Sequence, residues 1–510
     1  MTLNVIYSEC SLQIWLDIAQ NLNKDYNWQP CYWTGSKNFE KNVKKRFPNV
    51  VFHTNIDAVR GIPADDCKKL SIPALDQALL NKLAFCELIS LRMMNRMDRQ
   101  NTFSFEERER LFDMYVRYWS GVLDFFKPDV IVSPVSPHLI YDYVLYSLCK
   151  LRKIKTIMFV QTSIDGWIYP VEHFEVGSKS INSAYEKIKN SAKKNKYKGF
   201  NLSDDAVTHL EKLSGDYNKA LPFYMKKQFE QKKLGTYTFK KIVKNPNDIS
   251  NIMQKAKHLF TRGHYIKQRH KKIEESEMKG LEYMLGKLEG INKKNRLRSY
   301  YKKLEQEVDF ERPYIYFPLH YQPENTTSPV GESYANQFLI IDLLSKCMPK
   351  DWILYVKEHS SQWHMLMHGE CSRTTDFYND VALMPNAKLI PLSASNFDLI
   401  DNSKAVVTVT GTTGWEAVVR GVPALIFGHA WYKNCEGVFY TPTEEKCREV
   451  LSNIQSGYKV DKKLVRLFVN ILEQNCIKAY VDLAYKNVAN ISYEENITAL
   501  AQTIKNFYKQ

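Results

Sequence analysis

The chain has 510 residues, 44% hydrophobic and 25% charged, with a formal net charge of +15. That length suggests two or three domains of roughly 100–200 residues, and no run of about 18 apolar residues offers a membrane span. The ten cysteines are scattered, with no C-x-x-C pair and no His/Cys cluster at zinc spacing, which speaks for free thiols in a reducing cytoplasm. The positive charge suits an anionic partner: a nucleotide, an anionic membrane surface or nucleic acid. Lys and Arg are densest at 185–198 and 262–303. Neither stretch holds a nucleic-acid module, so no nucleic acid is expected.

The opening "MTLNVIYSECSLQIWLDIAQ" lacks a basic n-region and reads as a strand and a helix, not a signal peptide. Residues 3–7, 28–33 and 50–53 read as strands and 12–22 as a helix. A helical zone covers 74–99 and 106–126. "KPDVIVSPVSP" gives a strand at 130–134, a helix follows over 139–151, and "IKTIMFVQT" is the next strand. Strands alternating with helices predict parallel βαβ units, so residues 1–175 form a first Rossmann-like domain. Residues 176–312 are Lys/Glu-rich with helical patterns, and Ser203 is an N-cap before "DDAV". They read as a basic helical insertion and connector. Alternation resumes at Pro313. Strands are expected at "PYIYFPLHY", "WILYVKEH", "AKLIPLS", "AVVTVTG" and "PALIFG", with helices at "NQFLIIDLLSKCM", "NFDLIDNS" and "WEAVVRG". This second Rossmann-like domain spans 313–475, and 476–510 forms C-terminal helices, the tail from Glu445 being helical throughout. The fold class is α/β, a GT-B arrangement: two Rossmann-like domains facing a cleft, a helical insertion and connector, and a C-terminal helical tail. Open parallel sheets bind ligands beyond the carboxyl ends of their strands, which puts the site in the cleft.

Four polar clusters sit where strands should end. In "VVTVTGTTGWEAVVRGVPALIFG" a strand breaks at Thr410-Gly411-Thr412-Thr413-Gly414 and enters a helix. Amides at a helix N-terminus bind anions, glycines allow close approach, and threonine hydroxyls add donors. Glu416, expected on the first helical turn, would repel phosphate and suits ribose hydroxyls; a plain capping turn, which needs no ligand, is the alternative. In "YVKEHSSQW" a strand ends in Lys357-Glu358-His359, and Lys357 and His359 suit an anionic leaving group. In "YFPLHYQPENTTSP", His320 and Glu324 flank a strand end. In "SPVSPHLIYDYVLY", His138 and Asp142 are spaced i, i+4 and share one helical face. Asp165 follows the next strand in "QTSIDGW". Either aspartate suits the cleft, and either suits a buried cap or ion pair.

At "LHYQPE", "VKEH" and "TGTTGWEAVVRGVPALIFG" the chain resembles the bacterial capsule polysaccharide biosynthesis protein family. That family includes GT-B enzymes that transfer Kdo from CMP-Kdo, and it is similar in logic to transferases of other nonulosonic acids such as pseudaminic acid. The resemblance is clear over 313–440 and weaker at "PHLIYDYVLYSLCKLRKIKTIMF". It implies a nucleotide on the second domain and an acceptor on the first. His359 would contact the donor phosphate, with Lys357 and His320 beside it. Thr410, Gly411, Thr412, Thr413 and Gly414 would cradle that phosphate, and Glu416 would bind the ribose. A base or nucleophile is expected from Asp142, with His138 orienting it or holding the sugar carboxylate, and with Asp165 and Glu324 as further candidates. The implied activity moves an acidic eight- or nine-carbon sugar from a CMP-sugar donor to a surface polysaccharide or lipid-linked glycan. It would need no cofactor and no metal, since no D-x-D or clustered ligand set is present. It would work in the cytoplasm, peripheral to the inner membrane face through anionic lipid. The threonine-rich turn and Trp415 depart from the Kdo enzymes. Alternatives are a UDP-sugar transferase, a nucleotide-sugar epimerase, or a non-catalytic capsule assembly or export factor.

Overall fold

The alternation of strand and helix resolves into two separate sheets. The computed structural model describes residues 2–98, 103–193, 200–215, 280–324, 327–364 and 367–510. In the first sheet lie β1 (Leu3–Tyr7), β2 (Trp28–Gly35), β3 (Val51–Thr54), β4 (Val130–Val132), β5 (Lys155–Gln161) and β6 (Trp167–Val171). The second holds β7 (Tyr314–Pro318), β8 (Ile353–Lys357), β9 (Ala387–Leu389), β10 (Ala405–Thr408), β11 (Ala424–Ile426) and β12 (Val438–Tyr440). β13 (Ile477–Lys478) then returns to the first sheet.

The strand orders are β13-β6-β5-β4-β1-β2-β3 and β12-β11-β10-β7-β8-β9. β1 to β5 pair in parallel, as do all strands of the second sheet. Parallel strands covered on both faces read as continuous apolar runs; Val5, Ile6 and Tyr7 are all fully buried. One face of the first sheet packs on α1 (Gln13–Tyr26). The other packs on α2 (Gln77–Met97), α3 (Phe105–Phe126) and α4 (Ile140–Arg152). In each sheet the order reverses beside its first strand, between β1 and β4 and between β7 and β10. Those are the two topological switch points, where ligands bind in such sheets.

The described helices of the connector begin with α5 (Lys179–Lys193) and α6 (Asp204–Ser214). α6 begins at the N-cap Ser203, whose hydroxyl accepts from the Ala206 amide. α7 (Gly280–Leu304) leads into β7. The basic stretch at 262–272 lies outside the described residues. The second domain supplies α8 (Thr412–Arg420) and the long α9 (Lys462–Asn475), and the chain closes with α10 (Tyr493–Lys509). No helix among the described residues is long and apolar enough to cross a membrane.

The tail corrects the expectation of helix throughout. β13 pairs antiparallel with β6, which itself turns back antiparallel on β5. α10 then packs on α1, with Tyr508 edge-on to Trp28 at 5.1 Å and the Tyr493 hydroxyl donating to Asp17 Oδ2 at 2.7 Å. The 476–510 segment is thus built into the first sheet and its core, where Leu500 and Ile504 are fully buried. Truncating such a side chain removes transfer energy and leaves a cavity. Leu500→Ala is expected to destabilise the first domain by about 2–5 kcal/mol, measured by denaturant unfolding; a free-standing tail would leave that transition unmoved.

Candidate active site

At the first switch point, side chains gather from the ends of four strands. Glu9 follows β1 in a left-handed conformation, φ 61°. Its amide donates to Thr34 Oγ1 at 2.6 Å. The Tyr141 hydroxyl lies 2.9 Å from Thr34 Oγ1 and 2.7 Å from Asn55 Oδ1. His138, after β4, places Nε2 3.0 Å from Glu9 Oε1. Burial alone would push the His138 imidazole down. The Glu9 carboxylate, with Asp142 and the Ser136 carbonyl, more than reverses this and raises it to about 9. His138 precedes α4 instead of sharing its face with Asp142. The Asp142 carboxylate folds back to accept the His138 amide at 3.0 Å. Burial raises Asp142 to about 7, against the pull of the His138 charge and of the His138 and Leu139 amides. Its Oδ1 is buried with no hydrogen-bond partner among the described residues.

Glu9, His138 and Asp142 bring three potential ligand atoms within 4.8 Å of one another. A metal ion needs a neutral imidazole. Here the His138 Nε2 faces the Glu9 carboxylate, and that pairing favours the imidazolium. Asp165 is not part of this buried cluster. It is exposed in the turn between β5 and β6, where Gly166 packs against Ala489.

At the second switch point, His320 follows β7 and stands behind the 410–414 turn. Thr408 Oγ1 accepts the Gly411 amide at 2.9 Å, so its own proton goes to His320 Nε2, also at 2.9 Å. The Val409 amide points at the same nitrogen from 3.3 Å. An accepting Nε2 puts the ring proton on Nδ1, 3.1 Å from Glu324 Oε1. His320 and Glu324 therefore shape the turn from within. Gly411 caps α8 with no side chain, so the first-turn amides receive no side-chain cap. A Cβ at Gly411 would come within 2.8 Å of Thr408 Oγ1, and one at Gly414 within 2.5 Å of the Tyr432 hydroxyl. Thr410 Oγ1 is buried without a partner among the described residues. Trp415 faces the connector: its Nε1 donates to His209 Nε2 on α6 at 3.0 Å.

The Lys357-Glu358-His359 run splits three ways. The Lys357 ammonium is tied to the Ala394 carbonyl at 2.5 Å and Asn396 Oδ1 at 2.6 Å, away from the turn, and burial lowers it to about 8. This corrects its assignment to the anion; it braces β8 against the segment after β9. Glu358 is buried against Arg373 Nε at 2.8 Å and the Tyr378 hydroxyl at 2.8 Å. Arg373 Nη2 in turn donates to the His320 carbonyl at 3.2 Å. His359 alone keeps a nitrogen open. Its Nδ1 accepts the Ser361 amide at 3.1 Å, so the neutral ring carries its proton on Nε2. Burial holds the His359 imidazole below the usual range.

The two ends meet through α2. Arg96 Nη1 donates to the carbonyls of Glu324 at 3.2 Å and Ser328 at 2.5 Å, and its Nη2 to the His138 carbonyl. Burial lowers it to about 10, with Asp142 and Glu324 pulling the other way. One turn earlier, Arg92 Nη1 donates to the carbonyls of Glu332 and Ser333 at 3.3 and 2.9 Å. Sequence reading missed Glu9, Arg92, Arg96 and Arg373. Only Glu9 carried a signal, an acid two residues past an apolar strand.

Glu416 is the fifth residue of α8, on its second turn and not its first. It is buried, and Thr412 Oγ1 donates to its Oε1 at 3.4 Å. Burial raises Glu416 to about 7 despite Thr412 and Arg420. The unfolded carboxyl ionises near its ordinary value, so between that value and about 7 the folded state binds the extra proton. Stability from this group therefore falls as pH rises. Glu416→Gln is expected to raise the melting temperature more at pH 8 than at pH 5; an equal gain at both values would contradict the burial effect.

Residues 216–452 match the sequence model described as capsule polysaccharide biosynthesis protein. No curated protein matches the chain. Solved structures similar to it include UDP-GlcNAc 2-epimerase from Methanocaldococcus jannaschii, at 13% identity, covering 93% of this chain and 100% of that one, TM-score 0.24. The KpsC beta Kdo 2,7 transferase of Thermosulfurimonas dismutans matches at 11% identity, covering 81% and 96%, TM-score 0.28. A glycosyltransferase from Rickettsia africae matches at 10% identity, covering 99% of each chain, TM-score 0.26. Likenesses this remote say nothing of the site. Residues 216–452, which hold His320, His359 and the 410–414 turn, are thus similar to capsule polysaccharide biosynthesis proteins, the family the motifs resemble.

Proposed function

We propose that the protein is a glycosyltransferase that moves an acidic eight- or nine-carbon sugar, Kdo or a nonulosonic acid, from a CMP donor to a capsule or other surface glycan acceptor. One observation carries the reading. A glycine-capped helix start without a side-chain cap at one switch point is joined through Arg96 to a half-buried carboxylate–imidazolium pair at the other. The family match over 216–452 supports it.

The donor phosphate would rest on the amides of Thr412 and Thr413, where the helix dipole favours negative charge. His359, with its proton on Nε2, would donate to the departing phosphate as charge develops. Glu416 would accept from ribose hydroxyls. Asp142, ionised above about 7, would take the proton of the acceptor hydroxyl. His138, kept cationic by Glu9, would hold the sugar carboxylate. Because His138 is held as a cation beside Glu9, we propose that no metal takes part.

These assignments fix a pH profile. Asp142 must be ionised and His138 protonated, so transfer from CMP-Kdo or another CMP-linked acidic sugar should follow a bell with limbs near 7 and 9. Asp142→Asn should abolish transfer and leave CMP binding intact, as read by product NMR and calorimetry. An Asp142→Asn enzyme that transfers at the wild-type rate removes Asp142 from the mechanism.

A lipid-linked acceptor would give membrane binding a purpose. On α7 the cations Lys293, Arg296, Arg298, Lys302 and Lys303 are exposed, whereas Lys294 is buried against the His364 and Met367 carbonyls. Each exposed cation near an anionic surface contributes about 1 kcal/mol. Vesicle flotation should rise with anionic lipid content and weaken when Arg296, Arg298, Lys302 and Lys303 are changed to Gln. Flotation independent of lipid charge would reduce α7 to a solvated face.

A further inference from the structure

His429 stands three residues beyond β11, next to the 410–414 turn, and no motif marks it. Its side chain is 9% exposed, and its Nε2 lies 3.1 Å from Glu332 Oε1. Glu332 is itself held: it adopts φ 48°, and its carbonyl accepts from Arg92. The imidazole packs edge-on against Phe174 at 6.0 Å and beside Tyr440 at 5.7 Å. A carboxylate on Nε2 draws the ring proton there and leaves Nδ1 as an acceptor. That Nδ1 is buried and has no hydrogen-bond partner among the described residues. Buried polar atoms in native structures are nearly always satisfied, so an orphan calls for a ligand or a solvent partner.

Two more orphans lie on the segments that meet at Gly428. β10 and β11 pair with Thr408 opposite Ile426, and the Gly428 amide donates to the Val409 carbonyl at 2.9 Å. A Cβ on Gly428 would lie 2.7 Å from Thr410 Cγ2 and 3.0 Å from Gly331 Cα. Gly428 therefore lets three segments close on one another. Thr410, on the first, has a buried and partnerless Oγ1; so does Ser328 on the loop after β7. That loop also takes the His429 amide on the Val330 carbonyl at 3.1 Å.

We infer that His429 Nδ1, Thr410 Oγ1 and Ser328 Oγ form a subsite for hydroxyl groups of the glycosyl donor seated on the 410–414 turn. The set pairs one acceptor with two groups that donate or accept, which matches neutral hydroxyls. It does not match a phosphate, whose oxygens would face the lone pair of Nδ1. The subsite rests on the proposed function, and its hydroxyls belong either to the ribose or to the transferred sugar.

Calorimetry with CMP and with CMP-Kdo tests it. His429→Phe keeps the ring and removes both nitrogens; His429→Asn returns a polar atom close to the place of Nδ1. The Phe variant should bind about five- to tenfold more weakly, the loss of one hydrogen bond, and the Asn variant should recover most of this. Thr410→Val, of the same shape without the hydroxyl, should weaken binding in the same direction even if the Phe variant folds poorly. A loss already present with CMP assigns the hydroxyl to the ribose, and a loss confined to CMP-Kdo assigns it to the sugar. Wild-type affinity in the Phe and Val variants for both ligands overturns the subsite. A wild-type protein that binds neither ligand overturns the proposed function instead, and the subsite falls with it.

Discussion

One buried guanidinium ties the two halves of this molecule at their reactive ends. Arg96 spends three hydrogen bonds on carbonyls from both domains: His138 on one side, Glu324 and Ser328 on the other. No carboxylate pairs with it directly among the described residues, so carbonyl dipoles, helped by the nearby charges of Asp142 and Glu324, offset its lost water. A planar fork satisfies three acceptors that a lysine, a single point charge, would not hold in the same geometry. The positions of His138 and of Glu324 both follow from it. Through Glu324 the constraint reaches His320, Thr408 and the amide of Gly411.

The two switch points are chemical counterparts with opposite proton economies. Each has an imidazole just past a central strand, and each imidazole meets a carboxylate. His138 gives its Nε2 to Glu9 and stays charged. His320 gives its Nδ1 to Glu324 and keeps Nε2 for a hydroxyl and an amide. The first suits contact with a negatively charged substrate group. The second suits holding the 410–414 turn in one shape from its inner side.

Sequence alone carried the long apolar strands and their order, because parallel strands buried on both faces are nearly all hydrophobic. It missed β6, β12 and β13. Strands of two to five residues have too few positions to show a period, and β13 pairs with a strand far back in the chain, Ile477 opposite Ile168. Motif reading found the strand ends but not where each side chain goes. Lys357 and Glu358 lie on consecutive residues, so strand alternation sends them to opposite faces of the sheet. That left His359, past the last strand residue, as the one with an open nitrogen. Arg96 was invisible, because an arginine on a long amphipathic helix looks like any solvated one until the opposite domain is in place.

The return of the tail to the first sheet means that the chain crosses between domains twice. α5 and α9 lie side by side at that crossing, with the Tyr185 hydroxyl on the Leu464 carbonyl at 3.1 Å and its ring edge-on to Phe468 at 5.1 Å. A body hung on one strap swings and spins; a body hung on two adjacent straps has one easy axis and resists torsion. If the cleft gapes to exchange substrate, it does so like a book on its spine. Each time it shuts, the same backbone carbonyls come back to the same guanidinium.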